Sequence, residues 1–466
     1  MNGSSIATLE VGYTKRYFYG SIVFVLLIGA FRADTSDLFV SYFLITISAI
    51  FPIALWFRAG TPGIPILAVV ATLHYIYYGV PLLRERGSDI DALPAAAAVS
   101  MFLTGATLTW VLLFTLLKRR PHEANAHSTL DWQVRRLAFA GLILGIVFEF
   151  SFISGWVWDF AAFLGSIRAV TLTGASLACY LIGFLRARDR LYGRAWIFAF
   201  AGLTILVLLS WRTLYLVGGL MYLLATILGY TITARRIPWK VLALLFSISF
   251  VLNAGKGQMR DLYWTEAPNE DLSVLQTPAF FAEWFIHGVD AITTPDREPS
   301  DIIDRASLLH MLLRVQQLTP DPIPYLEGGS YRFLISSLVP RFFETDKPPS
   351  QAGLMLLNIR YGFLNSGDIT SIAWGVISEG FANFGYTGVV AAGILIGAIS
   401  AVFTCLSNGA PPLAPATLVS IGALVCLSNI EADFSALVVA LWQTIIASLL
   451  FLLAFKYFVA EGAVQR

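Results

Sequence analysis

Six cations, Arg212, Lys256, Arg305, Arg314, Arg341 and Lys347, punctuate a chain that is otherwise largely apolar, and they are the residues from which chemistry can be argued first. A guanidinium on a constrained backbone binds phosphate or carboxylate through paired hydrogen bonds, and an ammonium adds a point charge. Arg341 and Lys347 lie in Pro340-Arg-Phe-Phe-Glu-Thr-Asp-Lys-Pro-Pro349, where the flanking prolines hold the segment extended. Arg314 follows His310 by one helical turn, so a cation and a titratable imidazole are neighbours there. Arg212 stands in Ser210-Trp-Arg-Thr-Leu-Tyr215 between two apolar blocks, a depth at which a charge faces a cavity, a partner or lipid headgroups. Lys256, Gln258 and Arg260 extend the cationic cluster.

Proton transfer needs a base, and two residues qualify by type and place. His310 is one. Glu379, in Ser378-Glu-Gly-Phe-Ala-Asn383, shares a helix face with Asn383, and Gly385 and Gly388 permit a bend or close packing just beyond. Each reading has a plainer rival: His310 and Arg305 on a solvated helix face with Asp301 paired to Arg305, Arg341 bound to backbone carbonyls, Glu379 capping a helix or holding an arginine.

The elements that must position these groups follow from composition. The chain has 57% hydrophobic and 13% charged residues and a mean hydropathy of +0.71, against roughly a quarter charged in soluble domains. Its apolar blocks are long enough to cross about 30 Å of hydrocarbon as helix. They lie near 17–31, 38–57, 64–83, 93–117, 137–158, 162–185, 195–211, 213–233, 238–253, 387–406, 416–430 and 436–458, predicting about 12 transmembrane helices in an all-α polytopic fold. Residues 1–253 hold the first nine, 254–386 form a large polar loop, and 387–466 hold the last three. About half of the 30 acidic residues fall in that loop, which cannot lie in lipid because hydrocarbon offers irregular backbone no partners.

Within the loop, Asp301–Gln317 reads as an amphipathic helix ended by Thr319-Pro-Asp-Pro, and Gly328-Gly-Ser330 as a turn before an apolar helix over 331–339. Lys and Arg gather in alternate connections, including Lys118-Arg-Arg120, Arg135-Arg136, Arg186, Arg188, Arg190, Arg194, Arg235-Arg236 and Lys240, so those face the cytoplasm with both termini, and the long loop faces outward. The first block after Lys15-Arg16 is read as a span, since no small-x-small cleavage site follows it. Cys179, Cys405 and Cys426 fall in or at the ends of spans, so no disulfide framework is expected for the loop, and a net charge of +1 argues against a nucleic-acid partner.

Several strings together carry a resemblance: Asp304-Arg-Ala-Ser307, Thr319-Pro320, Pro324-Tyr-Leu-Glu-Gly-Gly-Ser-Tyr331, Val339-Pro-Arg-Phe-Phe343, Asp346-Lys-Pro348, Thr370-Ser-Ile372 and Glu379-Gly-Phe-Ala-Asn-Phe-Gly385. The loop and its flanking spans, about a third of the chain, resemble the Wzy-type O-antigen or exopolysaccharide repeat-unit polymerases. One departure is Glu344-Thr345, where Trp-Pro is expected before Asp-Lys-Pro. The resemblance implies a C-type glycosyltransferase-like fold in the bacterial inner membrane that joins undecaprenyl-diphosphate oligosaccharides at the periplasmic face. It further implies a lipid-linked donor and acceptor, contact with membrane lipid and a chain-length-regulating co-polymerase as partner. No cofactor or metal is expected, because arginines supply the charge that a departing diphosphate needs. The alternatives are an O-antigen ligase and a flippase of lipid-linked sugars. The near absence of charge in the spans, apart from Glu149, Arg168 and Glu431, argues against the flippase.

Overall fold

A computed structural model describes residues 25–83, 91–117, 131–157, 163–266, 276–294, 308–339, 348, 351–364 and 372–464. The described residues are helical, in the order α1 (Ser36–Arg58), α2 (Ile66–Leu82), α3 (Leu93–Leu117), α4 (Asp131–Ile153), α5 (Leu164–Ala187), α6 (Gly193–Trp211), α7 (Leu216–Ala234) and α8 (Trp239–Arg260). They continue as α9 (Thr277–Thr293), α10 (Leu308–Leu318), α11 (Leu334–Leu338), α12 (Ala352–Arg360), α13 (Gly375–Ser407), α14 (Pro415–Leu427) and α15 (Phe434–Val464).

Among them nine are long and apolar enough to cross a membrane, and α2 and α14 are shorter apolar helices. That is the architecture of a polytopic membrane protein. The expected twelve spans thus reduce to nine of full length with two short ones, and most of the first expected block, 17–31, lies outside the described residues. The shortfall has local causes. Helix α2 starts only after Pro65 and runs 17 residues to Leu82, close to the end expected for it, and the turn before Pro81 widens to a π-helix over Tyr75–Gly79 in which Val80 N–H donates to Tyr75 O. In α14 the helix begins only at Pro415 and stops at Leu427, 13 residues.

Two compact units divide the chain. The first comprises residues 1–133, 160–173 and 306–466, so part of the polar loop packs with the first spans and the last ones. Its centre is the pairing of α3 with α13, in parallel. A Cβ on Gly393 would meet Phe102 O at 2.3 Å and one on Gly397 would meet Ala106 O at 2.2 Å, so these glycines, four apart, let backbone approach backbone. Further along, Trp110 Nε1 donates to Thr404 Oγ1 at 3.5 Å, and Leu67, Trp110, Phe114 and Ala401 close the core. Gly397→Leu must force the helices apart at a cost of about 1–3 kcal/mol, so a lower melting temperature of the purified protein is expected, and none from the same change at lipid-facing Ile394.

The ends of this unit differ in character. At one end Ile64 N–H donates to Ser407 Oγ at 2.9 Å, Thr404 Oγ1 donates to Ile64 O at 3.1 Å, and Trp56 Nε1 donates to Pro62 O at 2.9 Å. At the other, Gln316 Nε2 on α10 donates to Pro94 O at 3.1 Å, and Tyr386 donates to the same carbonyl at 3.4 Å. Residues 308–339 of the polar loop therefore gather where α3 begins and where α13 bends.

In the second unit, residues 134–159 and 174–305, the close approaches again fall at small residues. Gly183 and Gly229 seat the C-terminal halves of α5 and α7 against each other in parallel, and Gly141 and Gly145 seat α4 against α5. Tyr222 donates to Glu149 Oε1 at 3.1 Å, which places the one acidic side chain of α4's apolar stretch beside a hydroxyl. Helix α9 returns along the end of α8: Trp284 Nε1 donates to Leu252 O at 2.7 Å, and Gly255 and Gly288 are in backbone contact.

Candidate functional site

Helix α13 is two helices with a sharp bend between them. Phe384 leaves helical geometry (φ −142°, ψ 16°) and Gly385 has φ 63° and ψ −146°, a conformation in which a side chain is strained; a Cβ there would also meet the Tyr325 hydroxyl at 2.9 Å. The first arm therefore stops at Asn383, leaving its last carbonyls without helical acceptors' usual donors. The loop before Ser330 supplies them. Leu326 N–H donates to Ala382 O at 3.0 Å, Glu327 N–H to Asn383 O at 3.1 Å, and Gly328 N–H to Asn383 Oδ1 at 3.0 Å. Glu327 (φ 49°) and Gly328 (φ 88°) both take the left-handed conformation to make this turn.

Ser330 is thereby delivered to Glu379. Its Oγ donates to Glu379 Oε1 at 2.6 Å and accepts from Asn383 Nδ2 at 2.9 Å, while Asn383 Nδ2 also donates to Glu379 O at 2.9 Å. The second carboxylate oxygen accepts from Phe434 N–H at 2.6 Å, the first residue of α15, whose N-terminal dipole favours a negative charge there. Glu379, Asn383 and Ser330 are all fully buried. These short bonds tie three pieces of chain distant in sequence into one polar node.

Around the node stand Tyr331 and Asp433. Burial and the nearby Glu379 charge push the Tyr331 hydroxyl well above its ordinary range, Asp433 adds to the shift, and the hydroxyl reaches the Asn383 side chain. Asp433 caps α15 by accepting from Ala436 N–H at 3.3 Å, and burial pushes its carboxyl up. The Tyr331 ring meets Phe434 edge-on at 5.2 Å and Phe384 at 6.4 Å. Close by, Gly375 N–H donates to Glu431 O at 3.3 Å, and Tyr77 of α2 hydrogen-bonds the Glu431 side chain.

The expected site residues distribute as follows. Glu379 is at the centre of the node, and the plainer role foreseen for it, capping a neighbouring helix, is one that its Oε2 fills. His310 is half-buried on α10, and Arg314, one turn later, is exposed. The expected helix 301–317 appears as Leu308–Leu318, with 301–307 outside the described residues. The expected helix 331–339 appears as a 3₁₀ turn, Tyr331–Phe333, followed by α11. Arg305, Arg341 and Lys347 lie outside the described residues, as does most of the proline-bounded segment.

Arg212 and Lys256 belong to the second unit. Arg212 caps α6, only 9% exposed, and burial lowers the pKa of its guanidinium. Arg260 Nη2 donates to Leu214 O at 3.1 Å and its guanidinium lies 5.2 Å over the Tyr215 ring, so the end of α8 that carries Lys256 is fastened to the turn that carries Arg212. Three cations of the expected cluster, Arg212, Lys256 and Arg260, are thus at one end of that unit.

Sequence reasoning missed Ser330, Tyr331 and Asp433. Asp433 carried a signal, an acidic residue just before an apolar helix at the position of an N-cap. Ser330 carried only the Gly-Gly turn. The described residues define an all-helical, membrane-type protein with a buried polar node where a surface loop meets a bent span. No protein-family model, no curated protein and no solved structure matches the chain.

Proposed function

We propose that the protein is a polymerase that joins undecaprenyl-diphosphate oligosaccharide repeat units at the periplasmic face of the bacterial inner membrane, a metal-independent glycosyltransferase of the Wzy type. The observation that carries this reading is the node of Glu379, Ser330 and Asn383. Buried ionisable groups at the end of a transmembrane bundle are costly, and a chain keeps them where a loop must be held in one geometry for function. Here the loop so held is the one that continues into Arg341 and Lys347.

In the reaction, a hydroxyl of the incoming unit attacks the anomeric carbon of the growing chain, the bond from that carbon to the diphosphate oxygen breaks, and undecaprenyl diphosphate leaves with the electron pair. Arg305, Arg314, Arg341 and Lys347 of the loop neutralise the charge that develops on the leaving group. The proton of the attacking hydroxyl goes to His310, because both oxygens of Glu379 are occupied and sealed from solvent. Glu379 then acts by holding the turn.

The test is incubation of the purified protein with undecaprenyl-diphosphate oligosaccharide extracted from the cells that make it. A ladder of lengthening glycans is expected. Transfer only to a lipid A core would make it a ligase, and translocation without new bonds a flippase; either result overturns the reading. His310→Ala should lose the ladder by at least about a hundredfold while melting as wild type.

A further inference from the structure

At the polar end of the first unit, beside the node but not part of it, three aromatic side chains stay open to solvent. Tyr325 is 38% exposed, Phe384 45% and Tyr386 38%. The bend at Gly385 brings them together. The Tyr325 hydroxyl lies against Gly385, Phe381 is edge-on to both Tyr325 at 6.4 Å and Tyr386 at 5.2 Å, and Phe384 sits over Gly328. The rings are interleaved with polar groups. The Tyr386 hydroxyl is within electrostatic reach of the Tyr325 hydroxyl and of the exposed Asp91 carboxylate, and Glu327 is exposed one turn position from Tyr325. Pro94 O takes hydrogen bonds from both Tyr386 and Gln316 Nε2, and the Gln316 Oε1 next to the patch has no donor among the described residues.

From this we infer that Tyr325, Phe384, Tyr386 and Gln316 form a glycan subsite that receives a sugar ring of the oligosaccharide. The inference rests on the polymerase reading and adds to it a place for the sugar, where the cations handle only the diphosphate. A pyranose presents C–H groups on one face and hydroxyls at its rim. Open aromatic faces suit the first, and a carboxylate, two phenols and an amide oxygen lacking a donor suit the second. Aromatic residues at a membrane interface also occur as anchors among lipid headgroups, and an anchor needs neither the carboxylate nor the unfilled amide acceptor.

Leucine separates the two roles, since it keeps apolar surface and loses the ring face. The protein in lipid nanodiscs is titrated with the lipid-linked oligosaccharide pool from its own cells, and separately with undecaprenyl diphosphate bearing no sugar. Phe384→Leu and Tyr325→Leu should each weaken the glycan-bearing ligand about three- to tenfold and leave the sugar-free carrier unchanged. Gln316→Leu should act in the same direction. Wild-type affinity in all three variants overturns the subsite, and so does an equal loss for both ligands, the mark of lipid anchoring only. Because binding is read without turnover, absence of a ladder from wild-type protein would refute the polymerase reading alone.

Discussion

Glu379→Ala is expected to cost on the order of 3–5 kcal/mol, because Ser330 Oγ–H and Phe434 N–H both lose their acceptor in a place water does not reach and each orphaned buried donor costs about 1–3 kcal/mol. The loss falls on three segments together: the turn at Gly328–Ser330, the first arm of α13 and the start of α15. Glu379→Gln should cost about 1 kcal/mol, since the amide oxygen still accepts from Phe434 N–H and the amide nitrogen can donate to Ser330 Oγ. Thermal melting of the purified protein reads the difference, with a drop on the order of 5 °C expected for Ala and little for Gln. If the carboxylate only positions the loop, the Gln variant also keeps its ladder. A Glu379→Ala protein that melts with wild type would remove the node from the account of the fold.

The parts of this architecture that were legible in the sequence are those written in local pattern. Apolar blocks gave α1, α3 and the second arm of α13 to within a few residues because a long apolar run favours helix over the length of a bilayer, whereas the first arm of α13, from Gly375, lies before the apolar block at 387–406. Gly385 and Gly388 permit a bend or close packing, and both occur: Phe384 leaves the helix with Gly385 at positive φ, and a Cβ on Gly388 would meet Gly380 O at 2.1 Å. The apolar stripe of Leu308, Met311, Leu312 and Val315 announced α10, and those side chains are buried. Helix α9 was not foreseen, although Pro278 at its start and Phe280, Trp284 and Gly288 on its buried face form a helical pattern, because acidic residues on both sides made the whole stretch read as loop.

The node was illegible for a different reason. Glu379 and Asn383 declare a shared face by their spacing of four, yet their partners Ser330 and Phe434 are 49 and 55 residues from Glu379. No local rule connects a Gly-Gly-Ser turn to the first amide of a later span. What joins them is the bend: by ending the first arm at Asn383 it exposes carbonyls that Leu326 and Glu327 then satisfy, and the turn that satisfies them carries Ser330 into place. A single glycine conformation, two backbone hydrogen bonds and one to the Asn383 side chain thus decide which serine faces the carboxylate.

Arg341→Ala should give the largest loss of polymer, at least about a hundredfold in the rate of ladder growth, with the protein inserted and melting as wild type. The argument is electrostatic. A departing diphosphate gathers negative charge in the transition state, and a fixed donor aimed at such charge is worth about 10²–10³ in rate. Arg305→Ala should act in the same direction. Arg341→Lys separates charge from geometry: an ammonium restores attraction without the paired hydrogen bonds of a guanidinium, so an intermediate rate, about tenfold below wild type, is expected. A Lys variant as slow as Ala would mean that bidentate geometry carries the whole effect. A normal chain-length distribution from Arg341→Ala would take that residue out of the site and leave Arg212, Arg260 and Lys256, which one end of the second unit holds together, as the cations to test next.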